Sequence, residues 1–295
     1  MMKLAYVVPS YSRPEAILLL IDNISRQTVN KYMTKTKLVI SIDRTDPELE
    51  RYKSFIEQFR KILDYQRNNL ELKLLINETK GLVAAKNNAV RSTDTELIMM
   101  IDDDLYMNED YTEKLVNDIE VDETIGAVSG HIVSSVPAIS HTQESSFIDE
   151  IPSTKSKLQT LRIQSSDGEW RSVFGKKEQV MDWSRVLDKI SLDTRYEMDY
   201  FVNSYLFRRS AFDKIGGYNL ELNSKTSAHE EVDFTYRIGM AGYKLLFDPF
   251  ARMWHITLKK GGIYKGKDFA SSKSILENEY HESLPKFLRS VSTKR

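Results

Sequence analysis

Short apolar runs alternate with helical patterns through the first third of the chain. The runs lie at residues 4–8, 38–42, 72–76 and 97–101. Each has the length of a strand, and the segments between them show the spacing of amphipathic helices. Strands that alternate with helices indicate βαβ units and a mostly parallel sheet. We therefore predict an α/β fold, Rossmann-like in this part, with helices on both faces of the sheet.

Two helix starts are predicted from local signals. Ser12 and Glu15 have the spacing of a capping box, with Pro14 in the first turn. Asn108 precedes another helical pattern and is a favoured residue type for an N-cap. We expect Ser12 and Asn108 to begin these two helices.

The second half of the chain is less regular. From about 133 to 200 the periodicity weakens, and we expect a long, partly irregular insertion there. Strand and helix patterns return between 201 and 247, in a strand at 201–207, helices at 210–215 and 228–240, and a final strand at 244–247. We predict one domain over 1–257, with halves at 1–128 and 129–257, followed by a tail at 258–295.

Composition excludes several classes of protein. The 295 residues contain 42 Lys and Arg against 43 Asp and Glu, so net charge gives no reason to expect nucleic acid or an anionic membrane as partner. The absence of Cys removes disulfides, thiolate metal sites and cysteine nucleophiles. The longest apolar run, at 16–21, is far shorter than a membrane span. We expect a soluble, cytoplasmic protein without a transmembrane segment.

Charge is uneven at the C-terminal end. Residues 258–295 carry nine Lys and Arg against four Asp and Glu. A glycine-rich loop in this tail could fold over a diphosphate, or it could be a solvated loop. Its candidate contacts are Lys259, Lys260, Tyr264 and Lys265. The positive tail also suggests a polyanionic acceptor, although a solvated surface helix is the simpler interpretation.

Three carboxylates end the fourth apolar strand. Asp102, Asp103 and Asp104 would repel one another unless cations compensate them, and oxygen ligands of this kind suit Mn²⁺ or Mg²⁺. The alternative is a solvated acidic turn. Residues 9–13 and 43–46 also follow predicted parallel strands, so all three segments should meet at one crevice at the carboxyl ends of the strands.

Two further candidates lie near residue 230 and near residue 255. Glu230 and Glu231 begin a predicted helix, where the helix dipole favours negative charge, but a carboxylate at a crevice edge can also act as a general base. His255 follows an apolar and aromatic stretch and is either a structural residue or a ligand for Mn²⁺. Trp183, in the insertion, is either a buried anchor or a platform for a sugar.

The order of these motifs resembles that of the GT-A fold nucleotide-sugar glycosyltransferases, in particular the inverting family 2 type. The first half carries an opening strand with P-x-Y-x-R, a strand-end Asp, an N-x-G-x-x-x-A-R-N helix and a D-x-D motif. The matching residues here are Pro9, Tyr11, Arg13, Asp43, Asn77, Gly81, Lys86, Asn87 and 102–104. Lys86 stands where the family usually has Arg.

The second half resembles the acceptor-side block of the same family. Residues 216–219 match G-G-Y-N, and Glu230, Glu231, Asp233 and Arg237 match E-D-x-D-x-x-x-R. Glu231 stands where the family has Asp, usually assigned as the base. The resemblance leaves open whether Glu231 or Glu230 takes that role. His255 occupies the place of the late metal-binding His of the family.

The resemblance implies a metal-dependent transfer of a sugar from a nucleotide-diphosphate sugar, most often a UDP-sugar, to an acceptor hydroxyl with inversion. It places Asp104, Asp102 and His255 at Mn²⁺ or Mg²⁺ and Glu231 or Glu230 at the acceptor. It assigns the nucleotide to residues of the first half, namely Pro9, Tyr11, Arg13, Asp43, Gly81, Lys86, Asp102 and Asp103. Trp183 and Asp233 are the candidate acceptor contacts.

The acceptor and the oligomeric state are left open by the sequence. A glycan, a lipid-linked or phosphate-bearing polymer and modified DNA are all candidates for the acceptor. Two other functions compete with transfer. A nucleotidyltransferase would ordinarily have a Gly-rich basic loop after the first strand, and residues 9–13 contain no Gly. A non-catalytic sugar-nucleotide or glycan-binding module would need no base.

Overall fold

The structure, a computed structural model, describes residues 3–31, 33, 35–66, 68–137, 161–164, 170–173, 195–198, 200–201, 204–223, 229–257 and 275–276. Its strands form one sheet with helices on both faces. This arrangement confirms the predicted fold class.

The first half of the sheet is parallel. Its strands are β1 (Leu4–Ser10), β2 (Thr36–Asp43), β3 (Leu70–Asn77) and β4 (Leu97–Met100). They lie in the order β3-β2-β1-β4 and are connected by α1 (Pro14–Ser25), α2 (Leu49–Tyr65) and α3 (Leu82–Arg91). Because parallel strands all end at the same edge, the segments after β1, β2 and β4 are brought together there.

The second half adds antiparallel pairs. Its strands are β5 (Leu105–Met107), β6 (Ile125–Pro137), β7 (Leu161–Gln164), β8 (Trp170–Val173), β9 (Tyr196–Met198), β10 (Tyr205–Arg208) and β11 (Lys244–Thr257). Its helices are α4 (Tyr111–Glu120), α5 (Arg209–Ile215) and α6 (Glu230–Met240), with 3₁₀ turns at Thr28–Lys31 and Leu220–Leu222. From β4 the order continues β10-β6-β11-β9-β7-β8, and β5 pairs with β11.

Alternation along β1 explains the two cores. Leu4, Tyr6 and Val8 belong to one buried cluster, whereas Ala5 and Val7 belong to the other. Successive side chains of a strand point to opposite faces, so a strand buried on both sides must be apolar throughout. The second cluster also includes Leu276 and is contacted by Ile275. The described part of the tail therefore packs on this face.

Both predicted helix caps are wrong, although Pro14 lies in the first turn of α1 as expected. The N-cap of α1 is Arg13, because the backbone N–H of Ser12 donates to Asp46 at 2.7 Å and holds Ser12 at a φ of 54°. The side chain of Glu15 pairs with Arg51 on α2 and does not return to the helix terminus. The helix predicted to begin at Asn108 begins at Tyr111, whose N–H donates to the Asn108 carbonyl at 3.0 Å.

The last strand is longer than expected. The segment predicted to be a partly irregular insertion contributes β7, β8 and β9 to the sheet. The strand predicted at 244–247 continues to Thr257, since β6 supplies a parallel partner along most of its length despite three register shifts. The longer strand carries His255 opposite Leu105 on β5.

Candidate active site

Arg13, Asp103 and Asp104 form a buried ion cluster at the ends of β1 and β4, which we call the strand-end cluster. Arg13 Nη1 donates to Asp103 Oδ1 and to Asp104 Oδ2, at 2.8 Å each. The hydroxyl of Ser10 donates to the other oxygen of Asp103 at 2.5 Å. All three charged side chains are at most 7% exposed. The repulsion expected within the Asp triplet is thus compensated by a cation of the chain itself.

The loop that carries Arg13 is fixed by α2. The hydroxyl of Tyr52 accepts the backbone N–H of Arg13 at 2.7 Å and lies 2.8 Å from the hydroxyl of Ser10. Asp46 also accepts the N–H of Glu48 at 2.8 Å, so its carboxylate connects the loops after β1 and β2. These contacts confirm that the segments after β1, β2 and β4 meet.

The two aspartates of this cluster have opposite pKa shifts. Burial raises the pKa of Asp103 to about 6, against the opposing effect of Arg13 and with a further contribution from the charge of Asp104. Burial also acts to raise the pKa of Asp104, but His255 and Arg13 together outweigh it, and the net pKa is lowered. Asp104 is the carboxylate that stays ionised.

Asp104 and His255 face each other. Asp104 Oδ1 lies 3.4 Å from His255 Nε2, and the backbone N–H of Ile256 donates to the Asp104 carbonyl at 2.7 Å. Two donors bound to one octahedral ion at about 2.1 Å lie about 3 Å apart, so this pair fits a shared divalent cation. A carboxylate oxygen and an imidazole nitrogen together suit Mn²⁺. In the described ranges no three His, Asp or Glu side chains form a complete metal cage.

Asp102 lies beside this pair at the crevice. Its backbone N–H donates to the hydroxyl of Ser204 at 3.2 Å, and its side chain is partly exposed. The carbonyl of Ser204 accepts the hydroxyl of Ser129 on β6 at 2.9 Å. Ser204 therefore ties the start of the Asp triplet to the second half of the sheet.

Lys86, Glu230 and Glu231 form a second cluster, which we call the helix-end cluster. Lys86 Nζ donates to Glu230 Oε1 at 3.1 Å and to Glu231 Oε1 at 2.8 Å. Lys86 is fully buried, Glu230 is 5% exposed, and Glu231 is 18% exposed. Lys86 lies between the two carboxylates that begin α6, and its expected contact with the nucleotide stays a prediction.

The charges of this cluster shift each other. Burial raises the pKa of Glu231 to about 7, the charges of Glu230 and Asp102 add to the shift, and Lys86 opposes it. Burial acts to lower the pKa of Lys86, but the two glutamates outweigh it, and the net pKa is raised. Lys86 therefore stays charged. The contribution of Asp102 to the pKa of Glu231 indicates that the helix-end cluster lies near the start of the Asp triplet.

Three predicted nucleotide residues lie at the ends of β1 and β2. Pro9 is buried in β1, and Tyr11 is 38% exposed. Asp43 Oδ1 accepts the N–H and the hydroxyl of Thr45, at 2.7 Å each, which fixes the carboxylate. An exposed aromatic ring and an oriented carboxylate are thus placed along one edge of the crevice.

The presence of glycine at position 81 is explained by its neighbour Asn223, a contact that the sequence did not indicate. Its φ is 112°, and a Cβ there would lie 2.1 Å from Asn223 Oδ1. That oxygen accepts the N–H of Ala84 at 3.1 Å, while Asn223 Nδ2 donates to the Lys80 carbonyl at 3.0 Å. Gly81 leaves room for a side chain that caps α3. Contact of Gly81 with a nucleotide stays a prediction.

Asp233 is enclosed and paired. It is 1% exposed, and its Oδ2 accepts Arg237 Nη2 at 2.7 Å and Nε at 2.9 Å. Arg237 also donates to the carbonyls of Ile215 and Gly217. In this structure Asp233 braces α6 against the turn after α5, and its contact with an acceptor stays a prediction.

Five predicted residues lie outside the described residues. They are Trp183, Lys259, Lys260, Tyr264 and Lys265. Sequence reasoning also missed residues that shape the site. Tyr52 lies on the apolar side of α2 with Ile56 and Leu63, which indicates burial but not a contact with Arg13. Ser204 and Asn223 are polar residues in loops with no pattern to distinguish them.

The chain was compared with known proteins. Residues 6–180, more than half of the chain, match the model of the family described as glycosyl transferase family 2. The chain belongs to glycosyltransferase family 2. Family membership confirms the glycosyltransferase enzyme class that the motif order predicts.

Curated relatives of this family are distant. The chain is 20% identical over 263 residues to poly-β-1,6-N-acetyl-D-glucosamine synthase of Staphylococcus aureus strain COL, a match that covers 89% of this chain and 52% of that protein. The Staphylococcus epidermidis protein of the same name gives the same identity and coverage. The chain spans about half the length of the curated relatives it matches.

Solved structures share the fold. S. aureus TarS 1–349 with UDP-GlcNAc matches with a TM-score of 0.61 at 15% identity, over 100% of this chain and 74% of TarS. GalNAc-T7 with UDP, GalNAc and Mn²⁺ matches with a TM-score of 0.61 at 16% identity, over 99% of this chain and 50% of GalNAc-T7. A Pyrobaculum calidifontis mannosyltransferase with GDP-Man and Mn²⁺ matches with a TM-score of 0.58 at 15% identity, over 98% of this chain and 68% of that enzyme. These likenesses confirm the GT-A fold. None of the described helices has the length and apolarity to span a membrane.

Proposed function

We propose that the chain transfers a sugar from a UDP-sugar to an acceptor hydroxyl with inversion, and that Glu231 is the general base. The observation that carries the proposal is the placement of two different carboxylate sites on one crevice. Asp104 stays ionised beside His255, whereas Glu231, with its pKa raised to about 7, keeps affinity for a proton. Transfer of a sugar from a diphosphate needs groups that stabilise the negative charge on the leaving diphosphate and a base that accepts the proton of the attacking hydroxyl.

Asp104 and His255 would hold Mn²⁺ or Mg²⁺, with Asp102 beside them. Their donor atoms fit such an ion, and two structures of similar fold are described with Mn²⁺. A bound divalent cation neutralises the negative charge that develops on a leaving diphosphate. Arg13 holds the second oxygen of Asp104 and so fixes the direction of the first.

The nucleotide would lie along the ends of β1 and β2. Tyr11 offers an aromatic face, and Asp43 offers a carboxylate that can accept the imide N–H of uracil. TarS is described with UDP-GlcNAc and GalNAc-T7 with UDP, which supports a UDP-sugar, and the P. calidifontis enzyme, described with GDP-Man, makes a GDP-sugar the alternative donor. The predicted contacts of Gly81 and of Asp103 with the nucleotide, and of the tail residues Lys259, Lys260, Tyr264 and Lys265 with the diphosphate, belong to this proposal.

The base is Glu231 and not Glu230. Glu231 is the more exposed of the two carboxylates and lies where the charge of Asp102 reaches it. In the transfer, the acceptor oxygen bonds to the anomeric carbon, the bond to the diphosphate oxygen breaks, and Glu231 takes the hydroxyl proton. Attack from the side of α6 on a donor held at the strand ends gives inversion.

The acceptor is proposed from the relatives and the tail charge. The staphylococcal relatives are named for synthesis of a poly-N-acetylglucosamine, which supports a glycan acceptor. The positive charge of 258–295 also suits a phosphate-bearing polymer, a lipid-linked acceptor or modified DNA. Trp183 and Asp233 stay candidate acceptor contacts.

The test is a donor screen. UDP-, GDP-, TDP- and CMP-sugars are incubated with the protein in Mn²⁺, Mg²⁺ or chelator, and nucleotide release is measured for wild type and Asp104→Ala. We expect release from a UDP-sugar that requires metal and is lost in Asp104→Ala. Asp110→Ala, which removes a carboxylate paired with Lys114 on the surface, is the matched control and should behave as wild type. Binding of a UDP-sugar without any turnover, with acceptor glycans present, would indicate a binding module and overturn the proposal.

A further inference from the structure

Every donor of the Lys86 ammonium group faces the protein. A lysine ammonium has three N–H groups, and those of Lys86 have two glutamate oxygens and the ring of Tyr218 around them. The ring centroid of Tyr218 lies 5.6 Å from Nζ, within the range of a cation–π contact. Since Lys86 is fully buried, it presents no donor to a ligand in the crevice.

The surroundings of Lys86 are fixed from both halves of the domain. Asn87, the next residue of α3, donates to the Tyr218 carbonyl at 2.9 Å and accepts the Tyr218 N–H at 2.8 Å. The Tyr218 ring stacks on Phe234 of α6 with centroids 4.0 Å apart, and its hydroxyl lies 2.9 Å from that of Tyr205. Contacts within the protein therefore fix the surroundings of Lys86.

The two glutamates differ in what they can reach. Glu230 is 5% exposed and pairs with Lys86, while Glu231 pairs with the same ammonium group and is 18% exposed. The carbonyl of Glu231 accepts the hydroxyl of Thr235 at 2.7 Å, which fixes the first turn of α6. Lys86 thus has one partner that is enclosed and one that faces the reaction.

We propose that Lys86 is the positioning residue of the base: it holds Glu231 at the crevice, uses Glu230 as a buried counter-charge, and does not bind the nucleotide. This inference rests on the proposed function, since it assigns Glu231 as the base. It changes the assignment that the motif resemblance implies for Lys86. It also gives Glu230 a purpose distinct from that of Glu231.

The experiment measures donor hydrolysis by Lys86→Met and Lys86→Arg. UDP-GlcNAc with Mn²⁺ is the probe, water replaces the acceptor, and kcat and KM are followed from pH 5.5 to 9.5. Without the cation Glu231 binds its proton more tightly. For Lys86→Met we expect the acid limb of the kcat–pH profile to move up by about one pH unit, which lowers kcat about fivefold at pH 7 and about tenfold at pH 6. The donor KM should stay within about twofold. Lys86→Arg keeps the charge and should keep the limb near its wild-type position.

Two variants separate this role from simple loss of folding. The double variant Lys86→Met/Glu230→Gln removes one charge of each sign and should fold where the single variant is unstable. Glu230→Gln alone removes the like charge next to Glu231, and its acid limb should move down in pH. Lys73→Met is the matched control, because Lys73 is half-buried and donates only to the Ser92 carbonyl, at 2.9 Å. It should leave kcat, KM and the limb unchanged.

The outcomes are distinguishable. If Lys86→Met raises the donor KM more than tenfold and leaves the acid limb in place, Lys86 binds the nucleotide and the inference is wrong. If Glu230→Gln, and not Glu231→Gln, abolishes turnover, the two glutamates have the opposite roles, which also overturns it. A wild-type protein that releases nucleotide from no donor with either metal, even with acceptor glycans present, overturns the proposed function, and the inference falls with it.

Discussion

The strand-end cluster and the helix-end cluster are built alike and differ in chemistry. Each places one buried cation against two carboxylates that are adjacent in sequence, Arg13 in the first and Lys86 in the second. In the strand-end cluster both carboxylates are almost completely enclosed, and His255 adds a further partner to Asp104. In the helix-end cluster Glu231 is more exposed and has no second cation among its described contacts.

The difference shows how similar clusters obtain different protonation behaviour. His255 and Arg13 together lower the pKa of Asp104 despite its burial, which suits a ligand that stays charged. One cation shared with Glu230 leaves the pKa of Glu231 raised to about 7, which suits exchange of a proton. Burial acts to raise the pKa of both carboxylates, and the neighbouring groups of each carboxylate decide whether that effect is outweighed.

A third pair extends the comparison. Asp118 on α4 is 1% exposed, and its cation, Arg195, is 48% exposed. Burial raises the pKa of Asp118 to about 7, helped by hydrogen bonding to Asp248 and by the charge of that carboxylate, with Arg195 opposing. Where the cation lies at the surface, one carboxylate of a buried pair keeps its proton near neutral pH.

The largest expected effects come from removing one carboxylate of each cluster. Glu231→Gln should lower kcat by about 10²–10⁴, the usual contribution of a general base, without changing the Mn²⁺ concentration needed for half-maximal rate. Asp104→Asn should raise that Mn²⁺ concentration at least about tenfold, the lower end of the effect when even an indirect metal partner is lost. Mn²⁺ titrations of nucleotide release measure both. An equal shift of the Mn²⁺ requirement in both variants would mean that the clusters do not have separate tasks.

A smaller effect is expected on the stability of the strand-end cluster. Arg13→Met should lower the free energy of unfolding by about 3–5 kcal/mol, because it leaves Asp103 and Asp104 buried without their cation. Urea unfolding at pH 7 measures it, and part of the loss should return at pH 5, where the carboxylates can take up protons. Arg44→Met removes an exposed pair with Glu78 and should cost less than about 1 kcal/mol. Similar losses in both variants would contradict a special role for the buried arginine.

The smallest effect is expected on the pH dependence of stability, through the pair of Asp118 and the half-exposed Arg195. The folded-state pKa of Asp118, about 7, lies above its ordinary value of 3.8, so this carboxyl stabilises the fold below pH 4 and the contribution is lost as the pH rises to 7. Asp118→Asn should remove that dependence. The free energy of unfolding of Asp118→Asn relative to wild type should rise by about 2 kcal/mol from pH 5 to pH 8. Thermal or urea unfolding at each pH measures this change.

Arg195→Met provides the control for this pH dependence. Loss of a half-exposed cation should change stability by less than about 1 kcal/mol at pH 5. If Asp118→Asn and wild type lose stability in parallel from pH 5 to pH 8, Asp118 does not carry the proton that we assign to it.

Much of the fold could be predicted because its signals are local. The apolar run of β1 and the helical spacing after it predicted the parallel half of the sheet. The Asp triplet at the end of β4 predicted where the crevice lies. The starts of α1 and α4 were not predicted correctly. Ser12 is held away from the helix by Asp46, which lies 34 residues further along the chain. A capping pattern describes what a residue can do locally and not which distant group reaches it first.

The site was predicted as a set of residues but not as a set of contacts. Asp104 and His255 were expected together and are together, whereas Lys86 was expected at the nucleotide and lies between Glu230 and Glu231, 144 and 145 residues away. Gly81 was expected at the nucleotide as well, and its backbone accommodates Asn223. No periodicity records a contact over such separations.

The sequence by itself determined the alternation of strands and helices, the residue types that carry the chemistry, and the family, since these depend on short-range patterns and on motif order. Only the tertiary structure decided which cation serves which carboxylates. That choice depends on the strand order and on how α3 packs against α6. Because the pKa of a buried carboxylate is set by its burial and by the charges nearest to it, the assignment of Asp104 to a permanent charge and of Glu231 to proton exchange was decided at that level.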